Sequence, residues 1–426
     1  MAYTETTTTS YGSRLKNSVG GVFTGFLMFI IATCLLWWNE GRAVKTAKML
    51  EEAQGNYVEM TDITSVNPAL NGKLVHATGL ATTKDTLSDN SFGIRVGAIA
   101  LQRKVEYYQW VEQARRTKKD NFGGSEETVT TYTYEKVWRS EPVNSGEFHD
   151  PSYRNKNFVL ADIKKERWDS RNVTFGAYQL NEGQVKSLSA QTPTKVVVPD
   201  EKLRGIDEQI MKIYKSRHGD RKKGVAEKEA KNVNDTMKST AANSYDGECV
   251  HVQGNEIYLG MDSASPEIGD VRVTYTQCDP GDVSLIAVVN GKTFSSYTAK
   301  NGKKLSVIRQ GAQTADQMFT DQHEGNNMLT WVLRVIGVLL VISGLRGILG
   351  IAETILKVIP FVSNILAFGV SVICGVIGLV WSVIIIALAW IFYRPLTGIL
   401  LLALVGVVIF AFSSKGKKLI AEKIKR

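Results

Sequence analysis

Apolar positions divide the chain unevenly. A 20-residue apolar run, Val19–Trp38, follows a polar, Thr/Ser-rich opening (1–18), and residues 329–412 are almost wholly apolar. Between them, residues 39–328 mix polar and apolar positions. About 20 helical residues cross a hydrocarbon core of about 30 Å. Val19–Trp38 has full length and ends in Trp37-Trp38 rather than a small-residue cleavage site, so it predicts a retained transmembrane helix and not a signal peptide. Residues 329–350 and 396–412 each fit one further span. The block between them, 357–392, is too long for one crossing at about 1.5 Å per residue. It reads as an interfacial helix over 357–367, which holds Pro360, Ser363 and Asn364, followed by a span from Phe368 to Trp390. Two short spans broken near Gly375 are the alternative.

The pattern therefore predicts an α+β multi-pass membrane protein with four transmembrane helices, one N-terminal and three C-terminal. A large β-rich extracytoplasmic domain with a charged helical insert fills 39–328. Within it, Val105–Arg116 and Thr128–Trp138 are Tyr/Val/Thr/Trp-rich and flank Asn-Phe-Gly-Gly-Ser, which signals a hairpin. Tyr132, Tyr134 and Trp138 fall on one face, as the packed side of an ordinary hairpin or as a ligand platform. Leu203, Ile206, Ile210 and Ile213 have helical spacing, and the charged run that follows reads as a surface linker. The strings 72–79 and 247–254 share GxxVHxxG, which raises an internal duplication.

Charge orients this arrangement. The tail 413–426 carries Lys415, Lys417, Lys418, Lys423, Lys425 and Arg426 against one acid, so the positive-inside bias makes both termini cytoplasmic and 39–328 translocated. The opening 1–18 reads as unstructured. The same six cations point to anionic lipid as partner of the tail, which accounts for much of the net charge of +9 without nucleic acid. Cys249 and Cys278 lie in the translocated domain and form a candidate disulfide. His76 and His251 occupy matching positions of the GxxVHxxG strings, but no Cys/His spacing suggests zinc. No catalytic motif is present, so the expectation is a non-enzymatic protein with no cofactor and no catalytic or metal site. Asn172 and Asn234 open glycosylation sequons that matter in a eukaryotic host.

Seven strings in order, from Asn-Glu-Gly-Arg-Ala-Val-Lys-Thr-Ala (39–47) through 71–79, 103–112, 132–148, 266–275 and Asn-Asn-Met-Leu-Thr-Trp-Val-Leu-Arg (326–334) to Trp-Ile-Phe-Tyr-Arg-Pro-Leu (390–396), resemble the LUMA family, transmembrane protein 43. Residues 150–250 carry no motif of that pattern. Asn39, Glu40, Gly41, Arg42, Arg394 and Pro395 are family-motif residues without an assigned role. The resemblance implies a membrane scaffold of the endoplasmic reticulum and inner nuclear membrane that associates with itself, and with emerin and lamins if the chain comes from an animal. A bacterial member would lie in the cytoplasmic membrane.

Small residues supply helix-packing candidates: Gly21 and Gly25 in the first span, Ser343, Gly344, Gly347 and Gly350 in the second, Ser371 and Gly375 in the third. Gly344, Gly347 and Gly350 form one broad face, suited equally to packing within one bundle or between chains. Arg334 and Arg346, near the ends of the second span, are expected to snorkel to head groups. Two functions compete: a scaffold that associates with itself and other membrane proteins, and a subunit of an oligomeric channel or transporter.

Overall fold

The computed structural model describes residues 2–218, 247–356 and 360–393, with the short stretches 399–400 and 403–404. The rest of the fourth span (396–412), the basic tail with its six cations, Arg394, Pro395, Asn234 and most of the charged linker lie outside the described residues.

Three long helices carry the apolar stretches. Helix α1 (Tyr11–Asn56) is continuous over 46 residues and begins at Ser10, whose hydroxyl accepts from the Ser13 amide. The first span is thus the middle of a longer rod, extended at both ends. Helix α2 (Asp200–His218) is the charged insert, and its apolar stripe sits on the β-body through Leu203 and Ile210. Helix α3 (Ala315–Leu356) leads from the body into the second span. Helix α4 (Pro360–Tyr393) runs unbroken through Gly375, which removes the two-short-span alternative. Among the described residues three helices are long and apolar enough to cross a membrane.

Two large sheets and two short two-stranded ones make the body among the described residues. In the first, the hairpin is β2 (Ala100–Asp120) and β3 (Glu126–Arg139), longer than its sequence signal at both ends. Its turn uses Gly123 and Gly124 at φ +87° and +81°, a region that favours glycine. The hairpin pairs through β2 with β4 (Val271–Cys278). The second sheet is centred on a pair formed by Leu74–Thr83 and Gly281–Asn290. This sheet buries Leu74, Ile286 and Val307 against Met49, Leu50 and Ala53 of α1 and Phe319 of α3, so the body sits at one end of the bundle.

The opening is not unstructured. Tyr3–Thr9 forms β1, antiparallel to β3 with Thr6 opposite Val129. Arg14, in the first turn of α1, donates to the Gly124 carbonyl at 2.9 Å and pairs with Asp120 at 2.7 Å and Glu126 at 3.3 Å. The 21 residues of β2 extend about 70 Å at about 3.3 Å per residue, enough to pass the roughly 30 Å apolar belt. The hairpin tip and residues 3–18 therefore share one end of the bundle, while the body occupies the other. The outer half of β2, Gln113–Lys119, is exposed and, apart from Ala114, polar.

The duplication finds no structural counterpart. His76 lies in the central strand Leu74–Thr83 of the second sheet, and His251 in a four-residue strand, Val250–Gln253, at the end of the first.

Candidate functional site

Directly after Trp38, α1 leaves the apolar run with Asn39, Glu40, Gly41 and Arg42, at positions that still face the other helices. Asn39 and Glu40 are 0% and 1% exposed. Asn326, Thr330 and Arg334 recur every four residues and so line one face of α3. Trp390 and Tyr393 end α4. These three elements meet in one polar node.

Arg334 grips the Glu40 carboxylate with two parallel bonds, Nε to Oε1 at 2.6 Å and Nη2 to Oε2 at 2.8 Å, although the residues are 294 positions apart. The Trp390 indole N–H donates to Glu40 Oε2 as well. The Arg334 guanidinium lies 4.9 Å from the Trp331 ring centre and 5.4 Å from that of Trp390, positions that favour a cation. Two residues further along α1, Arg42 donates to Asn326 Oδ1 at 3.1 Å and Thr330 Oγ1 at 2.8 Å. Asn39 Nδ2 donates to the Thr330 carbonyl at 3.0 Å. Gly41 is required by Tyr393: a Cβ there would lie 2.6 Å from its hydroxyl. A cavity of about 210 Å³ opens beside Glu40, Trp331 and Trp390.

Chemically this is a clamp. A bidentate carboxylate–guanidinium pair fixes orientation as well as distance, and Asn39, Glu40 and Arg42 are each bonded to another helix. Arg334 thus turns inward, which corrects the expectation that it snorkels; Arg346 is exposed, 3.9 Å from Glu353. The family-motif residues Asn39, Glu40, Gly41 and Arg42 gain positions here. Sequence reasoning placed Asn326, Thr330, Trp390 and Tyr393 in the strings 326–334 and 390–396 without giving them a role, and a further signal was that Glu40 and Arg334 carry opposite charges near span ends.

Below the node the packing is backbone to backbone. A Cβ on Gly25 would lie 2.7 Å from the Gly344 carbonyl oxygen, and one on Gly347 would lie 2.9 Å from the Gly25 Cα and 3.3 Å from the Gly21 carbonyl. Gly25, Gly344 and Gly347 therefore face one another within the chain. Gly350 and Gly375 meet nothing within 4 Å; Ser343 is exposed and Ser371 half-buried. Two glycines absent from the candidates, Gly337 and Gly378, take the close approach of Leu36 and Ile342.

Elsewhere the candidates separate. Cys249 and Cys278 are free thiols in two different cores, which corrects the candidate disulfide. Burial pushes the Cys249 thiol up to about 12 and raises that of Cys278, so both are poor nucleophiles. His76 Nδ1 faces Glu59 at 2.6 Å and Nε2 the Gln313 carbonyl at 3.0 Å, while His251 faces the Met261 carbonyl. Among the described residues no group of three His, Cys, Asp or Glu is placed to hold a metal. The aromatic face of the hairpin is packed: Tyr134 stacks on Tyr153 at 4.1 Å and Tyr132 on His149 at 3.8 Å. That leaves no open platform there.

Comparison with known sequences is consistent with the motif placement. The family described as Transmembrane protein 43 matches residues 107–395. Transmembrane protein 43 of Rattus norvegicus is 29% identical over 418 residues, covering 95% of this chain and 93% of the relative. That of Homo sapiens is 27% identical over 422 residues with the same coverage. The homolog of Drosophila melanogaster is 24% identical over 391 residues, 89% of this chain and 90% of its own. No solved structure matches the chain.

Proposed function

Because this integral membrane chain belongs to the transmembrane protein 43 family, we propose that it acts as a non-enzymatic membrane scaffold. The helical bundle holds the β-rich body in a fixed attitude to the bilayer, and the body associates with other membrane proteins and with a second copy of the chain. The observation that carries this reading is the node itself: Glu40, Arg334 and Trp390 come from three helices and bond to one another, and all lie in strings that resemble the family's. A clamp at the point where helices enter a body transmits orientation, which a scaffold needs and a freely hinged anchor lacks.

The body is proposed to lie across the membrane from the basic tail, and the compartment to be the endoplasmic reticulum or inner nuclear membrane in a eukaryotic cell. An oligomeric channel is the competing assignment. The close contact of Gly25 with Gly344 and Gly347 fills the α1–α3 interface and argues against a conduit there.

Detergent-free crosslinking of the tagged chain in native membranes, followed by identification of what co-purifies, tests the proposal. A reproducible set of membrane proteins including an untagged copy, weakened by Glu40→Gln, is expected. Ion flux through proteoliposomes of the purified chain, with no co-purifying protein, would reverse it in favour of the channel.

A further inference from the structure

The cavity of about 210 Å³ beside the node has one polar wall and one apolar wall. Asn327, Thr330 and Arg334 of α3 belong to the first, and Ala43, Val44 and Ala47 of α1 make the second. Its α1 residues, from Glu40 to Ala47, begin just past Trp38 and run about 3–14 Å beyond it along the helix axis. Trp37-Trp38 closes the apolar run, so this is head-group depth. The α3 surface alongside is apolar and open: Met328 is 72% exposed, and Trp331, which lines the cavity, 63%. A slot with one polar and one apolar side, at the edge of the acyl region, suits an amphipathic molecule.

Charge within the node does not balance. Glu40 is the one carboxylate lining the cavity, and it is already neutralised: two of its donors come from Arg334 and a third from Trp390. Arg42, bonded to Asn326 and Thr330, meets no carboxylate among the described residues, and its Nε is buried without a partner. Two guanidiniums thus stand against one carboxylate, which leaves one positive charge. An excess of that kind is costly away from water unless an anion joins it. Arg334 has an edge with which to hold one. Glu40 occupies its Nε and Nη2, and the rings of Trp331 and Trp390 lie against the guanidinium, so Nη1 is the nitrogen left over. The exposed Asn327 amide on the same wall has no bond among the described residues either.

We propose that this cavity holds the phosphodiester of a membrane glycerophospholipid, with Arg334 Nη1 and the Asn327 amide on the phosphate and the Ala43–Ala47 wall against the glycerol. The phosphodiester supplies the missing negative charge. The site rests on the geometry of the node and not on the scaffold role, and it is separate from the basic C-terminal tail.

The full chain is purified in detergent, and native mass spectrometry reads what it retains when dioleoylphosphatidylcholine, dioleoylphosphatidylglycerol, dioleoylglycerol or inorganic phosphate is added. One equivalent of either phospholipid should be held about tenfold more tightly than dioleoylglycerol, the scale of one hydrogen bond to a charged group. Inorganic phosphate in excess should not displace it. Three variants should each lower phospholipid retention toward the dioleoylglycerol level: Ala43→Leu, which fills the apolar wall; Arg334→Lys, which keeps a charge for Glu40 but gives up the second edge; and Asn327→Ala. Thermal unfolding reports whether each variant is folded, and Asn327→Ala, at an exposed position, decides the matter if the other two are not. Equal retention of dioleoylglycerol would make the cavity an acyl groove and overturn the proposal. Displacement by inorganic phosphate would make it a free-anion site, and retention of phosphatidylglycerol alone would reduce it to general charge attraction; either result overturns it as well. So would unchanged phospholipid retention in folded Asn327→Ala and Ala43→Leu.

Discussion

The two ends of α1 are fastened by opposite means. At residues 39–42 the partners are other helices of the bundle, the ion pair is almost fully buried, Glu40 accepts from α3 and α4, and Asn39 and Arg42 donate to α3. At residues 10–18 the partner is the tip of a hairpin rooted in the β-body, and the strand that accompanies it is largely exposed. A buried charge pair is costly to form but far costlier to break, because the surviving charge has no water to turn to. The exposed strand contributes little and exchanges readily, so the tail contact rests on Arg14 and its pairs with Asp120 and Glu126. The node should therefore behave as a fixed joint and the tail contact as a detachable one.

The largest effect expected from breaking this contrast is at the node. Glu40→Ala leaves Arg334 buried without its partner and should cost about 3–5 kcal/mol, read by chemical denaturation in detergent. Arg334→Gln combined with Glu40→Gln should cost clearly less than the two single changes summed. Additive losses would mean that the pair does not act as a unit.

Next comes the helix crossing just below it. Gly25→Ala and Gly344→Ala each place a methyl about 2.7–2.9 Å from opposing backbone, and overpacking of that kind costs about 1–3 kcal/mol. Gly375→Ala, which meets nothing within 4 Å, should be neutral or slightly stabilising. The same denaturation series ranks the three, and equal effects would discount the packing argument.

At the tail end, Arg14→Ala should lower global stability by about 1–3 kcal/mol at most, since it strips a donor from the Gly124 carbonyl and two acids. Its sharper signature is local: amide hydrogen exchange in 3–9 and 126–132 should accelerate while 39–42 is unchanged. Equal acceleration at both ends would show that the tail is not a separate unit.

The smallest effect is a pH dependence within the hairpin. Burial raises the Glu112 carboxyl, but hydrogen bonds from the Tyr134 hydroxyl and from the His149 amide and ring outweigh it, and the net shift is downward. A carboxyl lowered by folding stabilises fully above its unfolded value of about 4.3 and loses that contribution as pH falls through the folded value. Acid unfolding followed by circular dichroism should therefore be steeper for the parent than for Glu112→Gln below about pH 4. Identical acid limbs would exclude Glu112 as the group responsible.

Much of this was legible from local rules. Val19–Trp38 and Phe368–Trp390 announce their helices because a bilayer demands an unbroken apolar run, and Asn121–Ser125 announces its turn because two adjacent glycines accept positive φ. Leu203, Ile206, Ile210 and Ile213 mark α2 through spacing alone. The node was not legible, since Glu40 next to Arg42 looks like ordinary helix-surface charge until α3 is brought alongside. The pairing of Cys249 with Cys278 failed for a related reason: two cysteines 29 positions apart say nothing of which core each enters, and they enter different ones.

Periodicity and apolar length, properties of neighbours along the chain, determined that this protein is membrane-bound, α+β, and built from long spans flanking a β-rich body. Partnership was decided only by the tertiary structure. Glycines 344 and 347 face Gly25 of the same chain, the Thr-rich opening becomes an edge strand, and Arg334 turns from head groups to Glu40. Each of those choices depends on a group more than a hundred residues away that supplies a hydrogen bond, a counter-charge or a surface without a side chain. Such complementarity is a property of the assembled pair and is written in neither partner's own stretch of sequence.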